Sequence, residues 1–124
     1  MEDLPYQDNY YRSGGFKPGG WRIAPSPIHG NGIFTNNRYE QGEDIDLCFI
    51  RKSYTAERPD HAFIRTKFCS YVNHSDQANS ELYQKGIMII LRAIKPIESG
   101  EEVTCNYNEG LAYEISGGFN PSEN

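Results

Sequence analysis

The sequence predicts a small, mostly β domain made of many short strands. Its apolar runs are short and rich in isoleucine, and residues typical of turns separate them. Short runs of β-branched residues between glycine, proline, asparagine and serine are characteristic of strands joined by tight connections. No long helical period and no internal repeat is visible. The length agrees with this fold class, because 124 residues suit one domain with one modest core.

Residues 1–20 are expected to form a flexible N-terminal segment ahead of the domain. Tyr6, Tyr10 and Tyr11 precede two glycine pairs, and such glycine clusters favour a flexible lead-in over a regular element. The tyrosines dock either on the domain or on a partner, and the sequence leaves both interpretations open.

Four segments are predicted to be strands. Trp21–Ala24 is a short run that ends before a proline, and Ile45–Ile50 alternates well enough for a half-buried strand. The isoleucine-rich run Gly86–Ile94 and the short run Val103–Cys105 are the other two. These strands are distributed over most of the domain, as a β fold requires.

The remaining segments are turns, loops or undecided. Residues 38–43 and 95–102 have turn composition, and the charged stretch 51–60 is expected to be a surface loop or insert. Residues 62–72 fit either a helical turn or a short strand. The C-terminal tail contains apolar residues that can fold back onto the domain, namely Leu111, Tyr113, Ile115 and Phe119.

Composition and charge narrow the class of function. The formal net charge of −5 argues against broad nucleic-acid binding, which relies on lysine and arginine against phosphate. It is compatible with a basic partner such as a lysine-rich peptide, although a modest negative charge also keeps a protein soluble. No apolar run approaches the roughly 20 residues that a membrane helix needs. The first residues lack the pattern of a signal peptide, so we expect an intracellular setting, in the cytoplasm or nucleus.

Three cysteines, Cys48, Cys69 and Cys105, are widely separated along the chain. An odd number without Cys-x-x-Cys spacing gives no support to a zinc cage or a disulfide framework. Each cysteine is flanked by apolar or aromatic residues, so we expect each to be a small buried hydrophobe. No metal site is predicted.

The stretch Tyr71–Asn79 is difficult to explain as plain core. It places Asn73, His74, Ser75 and Asp76 between apolar segments, and a buried polar group without a partner costs roughly 1–3 kcal/mol. One interpretation is a loop whose small polar side chains bond to the local backbone. The other is a binding site, and two further motifs in the chain favour it.

Three segments in this order resemble the signature of SET-domain protein lysine methyltransferases. They are His29–Phe34, Tyr71–Asn79 and Gly100–Tyr107. The connecting piece Leu91–Ile97 also resembles the strand and turn that precede the last motif in that family. Each motif alone is weak, but three in order with fitting connections are specific together. The resemblance covers roughly residues 21–108, which is most of the chain.

The resemblance implies a SET-domain (β-clip) fold, with several short strands in small sheets and a pseudoknot-like threading near the C-terminus. The domain would span residues 21–110, and the tail 111–124 would fold over the lysine channel. Asp76 stands where many members have a zinc-binding cysteine, and Asn106 where aspartate is usual. The chain therefore resembles the compact, zinc-free members found in viruses and bacteria. A second subunit in a homodimer is another candidate for closing the channel.

The resemblance also implies the chemistry. Members use S-adenosylmethionine to methylate a lysine amine in a protein, for instance a histone or another basic protein. The residues that would bind the cofactor are His29, Gly30, Asn31, Gly32, Asn73 and His74, with the glycines permitting close approach because they lack Cβ. Tyr107 would be the catalytic residue at the methyl-transfer point, orienting the amine. Tyr71 and Tyr113 are the first candidates for the aromatic lysine channel.

A second interpretation keeps the fold and loses turnover, leaving a catalytically weak or inactive SET-like module that binds protein or cofactor. Asn106 and the short insert 51–60 favour this module. The presence of Tyr107, Asn73 and His74 together favours an active enzyme, because a chain that no longer catalyses transfer has no need to keep them.

Overall fold

The computed structural model describes residues 16–117. Within that range the strands are β1 Trp21–Pro25, β2 Asn31–Thr35, β3 Asp44–Arg51, β4 Phe63–Arg65, β5 Asn73–His74, β6 Ser80–Lys85, β7 Met88–Ala93 and β8 Glu102–Cys105. The helices are α1 Pro59–Ala62, α2 Lys67–Ser70 and α3 Gly110–Ser116. None of these helices is long and apolar enough to cross a membrane.

The strands form one mixed sheet in the order β1-β2-β8-β6-β7-β3-β4. β5 lies off this path and pairs in parallel with β8. β8 is the last strand in the chain, but in the sheet it lies between β2 and β6, two strands that come earlier in the sequence. The mostly β fold predicted from the sequence is confirmed, and the inserted position of β8 is what a pseudoknot-like threading requires.

The hydrophobic core consists of two clusters on opposite faces of the sheet. Leu47 of β3 and Ile90 of β7 belong to the smaller cluster, whereas their chain neighbours Cys48 and Leu91 belong to the larger one. Consecutive residues of a strand point to opposite faces, so the central strands are covered on both sides. β3 was expected to be half-buried, and the structure instead buries it on both faces along most of its length.

Residues 16–20, assigned from the sequence to a flexible lead-in, pack against the domain. Phe16 is only 2% exposed and belongs to the smaller cluster with Leu47 and Ile90. The Lys17 ammonium donates hydrogen bonds to the Arg38 carbonyl at 2.6 Å and to the Glu43 carboxylate at 3.0 Å. An apolar side chain that fills a core site fixes this part of the chain. The prediction for residues 1–15 lies outside the described residues.

Most of the predicted strands are present with slightly different ends. Ile45–Ile50 lies within β3, and Gly86–Ile94 contains β7. The undecided segment 62–72 contains both alternatives, because β4 is followed directly by α2. Residues 31–35 are not among the predicted strands, yet they form β2, which pairs with β1 over its whole length. Its poor β-forming residues Asn31 and Gly32 are held by that pairing rather than by their own propensity.

The side chain of Asn79 forms hydrogen bonds with the backbone of β8. Its side-chain Nδ2 donates to the Glu102 carbonyl at 2.8 Å, and its Oδ1 accepts from the Thr104 amide at 3.0 Å. The residue is 6% exposed, so these bonds form away from water. One amide side chain therefore satisfies a donor and an acceptor of the inserted strand, as a neighbouring peptide group would.

We expect Asn79→Ala to lower the free energy of unfolding by roughly 2–4 kcal/mol, because it leaves two buried backbone groups of β8 without partners. Urea denaturation followed by circular dichroism measures the change. Gln77→Ala, an exposed amide in the same loop, is the matched control and should change stability by less than about 0.5 kcal/mol. Equal losses in the two variants would contradict this role of Asn79.

Candidate active site

The carboxylate of Glu102 joins three segments that are distant in sequence. It accepts hydrogen bonds from the Ser26 hydroxyl at 2.8 and 2.9 Å and from Asn73 Nδ2 at 2.9 Å. Ser26 begins the turn between β1 and β2, and its hydroxyl also accepts from the Ile28 amide at 2.9 Å. The start of β8, the β1–β2 turn and β5 are thereby fixed relative to one another.

Asn73 holds the β1–β2 turn from the other side. Its Nδ2 donates to the carbonyls of His29 at 3.0 Å and Asn31 at 3.3 Å, besides the bond to Glu102. Its Oδ1, by contrast, accepts no hydrogen bond from any residue in the described range. The Nδ2 group of Asn73 is therefore bonded within the protein, whereas its Oδ1 can accept a hydrogen bond from another molecule.

Glycine is favoured at positions 30 and 32 for different structural reasons. Gly30 adopts φ +46°, a left-handed conformation that favours glycine, and a Cβ there would meet open space. Gly32 lies in β2, and a Cβ there would be 2.2 Å from Glu102 Oε2. The lack of a Cβ at Gly32 thus makes room for the Glu102 carboxylate. The backbone at Gly30, by contrast, remains accessible to a ligand.

His74 is oriented by bonds to both of its ring nitrogens. Nδ1 accepts from the Tyr107 amide at 3.0 Å, and Nε2 lies 3.0 Å from Asp76 Oδ1. An accepting Nδ1 places the proton of the neutral ring on Nε2, which then donates to the Asp76 carboxylate. Asp76 therefore helps to orient the histidine ring.

Tyr107 lies beside His74, with ring centroids 5.3 Å apart. Its hydroxyl donates a hydrogen bond to the Val72 carbonyl. Burial raises the pKa of the Tyr107 phenol well above its ordinary value, and the nearby positive charge of Arg65 opposes this increase to a smaller extent. The phenol therefore stays neutral at physiological pH, with its proton directed at Val72 and its oxygen oriented to accept.

Tyr107 forms part of the wall of an apolar cavity of about 120 Å³. The wall comes from β3, α2, the central strands and α3. Its residues are Cys48, Phe49, Arg65, Cys69, Val72, Leu82, Leu91, Cys105, Tyr107, Ala112, Ile115 and Ser116. Arg65 is the charged member of this set. The cavity is narrow, mostly apolar and closed on one side by the C-terminal helix.

Neither predicted channel residue lines this cavity. α3 presents Ala112, Ile115 and Ser116 to it, which is the spacing of one helical face, so Tyr113 points elsewhere and is 54% exposed. Tyr71 is half-buried and packs against the larger core cluster instead. The aromatic rings that the cavity does contain are those of Phe49 and Tyr107. Phe49 was missed because the strand pattern showed only its burial and not what it faces.

All three cysteines lie in the cavity wall. Cys48 and Cys105 are buried and Cys69 is half-buried, and none of them forms a disulfide. Burial raises the pKa of Cys48 well above its ordinary value and that of Cys105 to about 12, so both thiols stay uncharged. Within residues 16–117, no group of three His, Cys, Asp or Glu side chains is arranged to hold a metal ion.

A larger cavity of about 210 Å³ shares Leu82, Cys105 and Ala112 with the first as a common wall. Its rim carries three carboxylates, those of Asp76, Glu81 and Glu109. Two of the three already have partners, because Asp76 contacts His74 and Glu81 pairs with Arg92. The six predicted cofactor residues line neither cavity. His29, Gly30 and Asn31 are exposed, Asn73 and His74 are half-buried, and Gly32 is buried.

Comparison with known proteins relates the chain to one family. A family model described as the SET domain matches residues 30–108. A Plasmodium falciparum protein, provisionally described as a histone methyltransferase, superposes with a TM-score of 0.59 at 18% identity, over 77% of this chain and 98% of its own. The SET domain of the RIZ1 tumour suppressor (PRDM2) superposes with a TM-score of 0.52 at 18% identity, over 78% of this chain and 74% of its own. At this identity the superpositions establish a shared fold, and no curated protein gives a significant match.

We expect Gly32→Ala to lower the free energy of unfolding by about 1–3 kcal/mol, because its Cβ would displace the Glu102 carboxylate. The same substitution in a Glu102→Ala background should cost at least about 1 kcal/mol less, since the obstructing group is gone. Urea denaturation of the wild type, both single variants and the double variant measures this coupling. Additive losses would show that Gly32 is required for another reason.

Proposed function

The chain belongs to the SET-domain family, and from this membership we propose that it is a protein lysine methyltransferase. It would transfer the methyl group of S-adenosylmethionine to the side-chain amine of a lysine in a protein substrate. The provisional description of the Plasmodium structure as a histone methyltransferase supports this reaction class. The observation that carries the proposal is the position of Tyr107, which forms part of the wall of a narrow apolar cavity and whose ring centroid lies 5.3 Å from that of His74.

The residues around Gly30 and Asn73 fit the amino-acid end of the cofactor. Asn73 Oδ1 accepts no hydrogen bond from the described residues and is suited to an ammonium group. The backbone of His29, Gly30 and Asn31 is exposed, and no side chain stands over Gly30. When bound, the cofactor supplies an electrophilic methyl group on a positively charged sulfur.

The cavity prepares the lysine for attack. An amine must lose its proton before it can act as a nucleophile, and apolar surroundings disfavour its charged form. The positive charge of Arg65 in the cavity wall acts in the same direction. The hydroxyl of Tyr107, which donates to Val72, can accept a hydrogen bond from the neutral amine and so orient its lone pair.

α3 covers one side of this cavity and would limit the access of water to it. Ala112 and Ile115 are 6% and 7% exposed, and both contribute to the wall. We propose that this helix performs the covering role predicted for the tail 111–124, of which residues 118–124 lie outside the described range. A dry cavity keeps the amine neutral and strengthens the hydrogen bond to Tyr107.

We expect the protein to bind S-adenosylmethionine, and Asn73→Ala to weaken this binding at least about tenfold, equivalent to about 1.4 kcal/mol. The variant removes the free acceptor and releases the carbonyls of His29 and Asn31. Isothermal titration calorimetry measures the affinity, and Gln77→Ala is the control for a neighbouring amide. The absence of any binding to the folded wild type would remove the enzyme proposal.

We expect Tyr107→Phe to reduce methyl transfer by roughly 10²–10³ while changing cofactor affinity little, because a hydroxyl at the reacting centre acts mainly in the transition state. Transfer of labelled methyl groups to lysine-containing proteins, together with calorimetry, separates the two effects. Tyr54→Phe, at a tyrosine that is 72% exposed, is the matched control. Full activity of Tyr107→Phe would move the catalytic role to another residue.

A further inference from the structure

The basic residues of this acidic chain are concentrated in one segment. Residues 51–67 contain five Lys or Arg and two Asp or Glu, whereas the rest of the chain contains seven Lys or Arg and fifteen Asp or Glu. The segment runs from the end of β3 through α1 and β4 to the start of α2. The chain has a net charge of −5, yet it contains a positive region that is contiguous in sequence.

Arg65 connects this region to the cavity that contains Tyr107. It is the last residue of β4, its backbone pairs with Phe49 of β3, and its side chain forms part of the cavity wall. The residue is exposed as a whole, so its charge lies at the opening rather than inside. Arg65 and Tyr107 both belong to the wall of this cavity.

The side chain of Arg65 has no partner among residues 16–117. It makes no hydrogen bond and no ion pair there, whereas Arg38 pairs with Glu40 and Glu98, and Arg92 pairs with Glu81. A guanidinium presents several donors in a planar fork that matches a carboxylate. An unpaired guanidinium at the opening of a substrate cavity is therefore available to an acidic group on the substrate.

We propose that Arg65 selects protein substrates in which an aspartate or glutamate lies within one or two residues of the target lysine. This inference rests on the proposed methyltransferase function and names its substrate class. The lysine side chain enters the cavity toward Tyr107, and the neighbouring carboxylate stays at the opening against Arg65. Lysines surrounded by further lysines and arginines, as in basic tails, are disfavoured because they place like charges at this opening.

The experiment uses short peptides with a single lysine flanked by glutamate, glutamine or arginine. For the full-length wild type we expect kcat/KM to be about fivefold higher with glutamate than with glutamine, and lowest with arginine. Arg65→Gln should remove the preference and Arg65→Glu should reverse it. Raising the salt concentration from about 50 mM to about 500 mM should weaken the preference, because ions screen exposed charges.

Lys95→Glu is the matched control, because it makes the same charge change at an exposed lysine in the turn before β8. It should leave the order of the three peptides unchanged. A preference for the arginine-flanked peptide, or the same order of peptides in Arg65→Glu as in the wild type, would overturn the inference while leaving the methyltransferase proposal intact.

Peptide binding, measured by fluorescence anisotropy, tests the inference independently of transfer. Tighter binding of the glutamate-flanked peptide, lost in Arg65→Glu, supports it even if no peptide is methylated, an outcome that would overturn the proposed function alone. Equal binding of the three peptides would overturn the inference. Competition by a short DNA duplex that depends on Arg65 would also overturn it, by assigning the positive segment to nucleic acid.

Discussion

The hydrogen bonds to the carboxylate of Glu102 are the constraint on which the candidate site depends. This single group binds Ser26 and Asn73, and Asn73 in turn binds the carbonyls of His29 and Asn31. A Cβ at position 32 would meet this carboxylate, so a larger residue there would have to displace it. Charged acceptors form stronger hydrogen bonds than neutral ones, so one carboxylate can fix two loops and two strands together.

The same strand positions the reacting end of the site. Tyr107 follows β8 by two residues, and His74 ends β5, which pairs with β8 in parallel. The bond from the Tyr107 amide to His74 Nδ1 continues this pairing beyond the last residue of the strand. The insertion of β8 between β2 and β6 therefore brings Asn73 and His74, proposed for the cofactor, close to Tyr107, proposed for the amine. Asn79 supports the insertion by satisfying the backbone of β8 from the side.

Two neighbouring regions of the molecule differ in charge. The interior beside Tyr107 is lined by uncharged thiols and apolar side chains, which favour a neutral amine. The opening carries Arg65 and lies next to the basic segment 51–67, although the chain as a whole is acidic. The net charge therefore does not describe this part of the molecule, because segment 51–67 is positive while the chain as a whole is negative.

The sequence by itself determined the mostly β fold, the strands β3 and β7, and the residues that meet around Asn73, His74 and Tyr107. These features depend on local composition and on motif residues whose order can be recognised along the chain. Only the tertiary structure decided which side chains line the cavity. α3 directs Ala112 and Ile115 inward and Tyr113 outward, and Phe49 and Arg65 reach the cavity through the pairing of β3 with β4. Phe16 is buried for the same kind of reason, since its partners Leu47 and Ile90 lie far away in sequence. Periodicity indicates that a residue is buried, but the neighbour it packs against is fixed only when distant strands assemble.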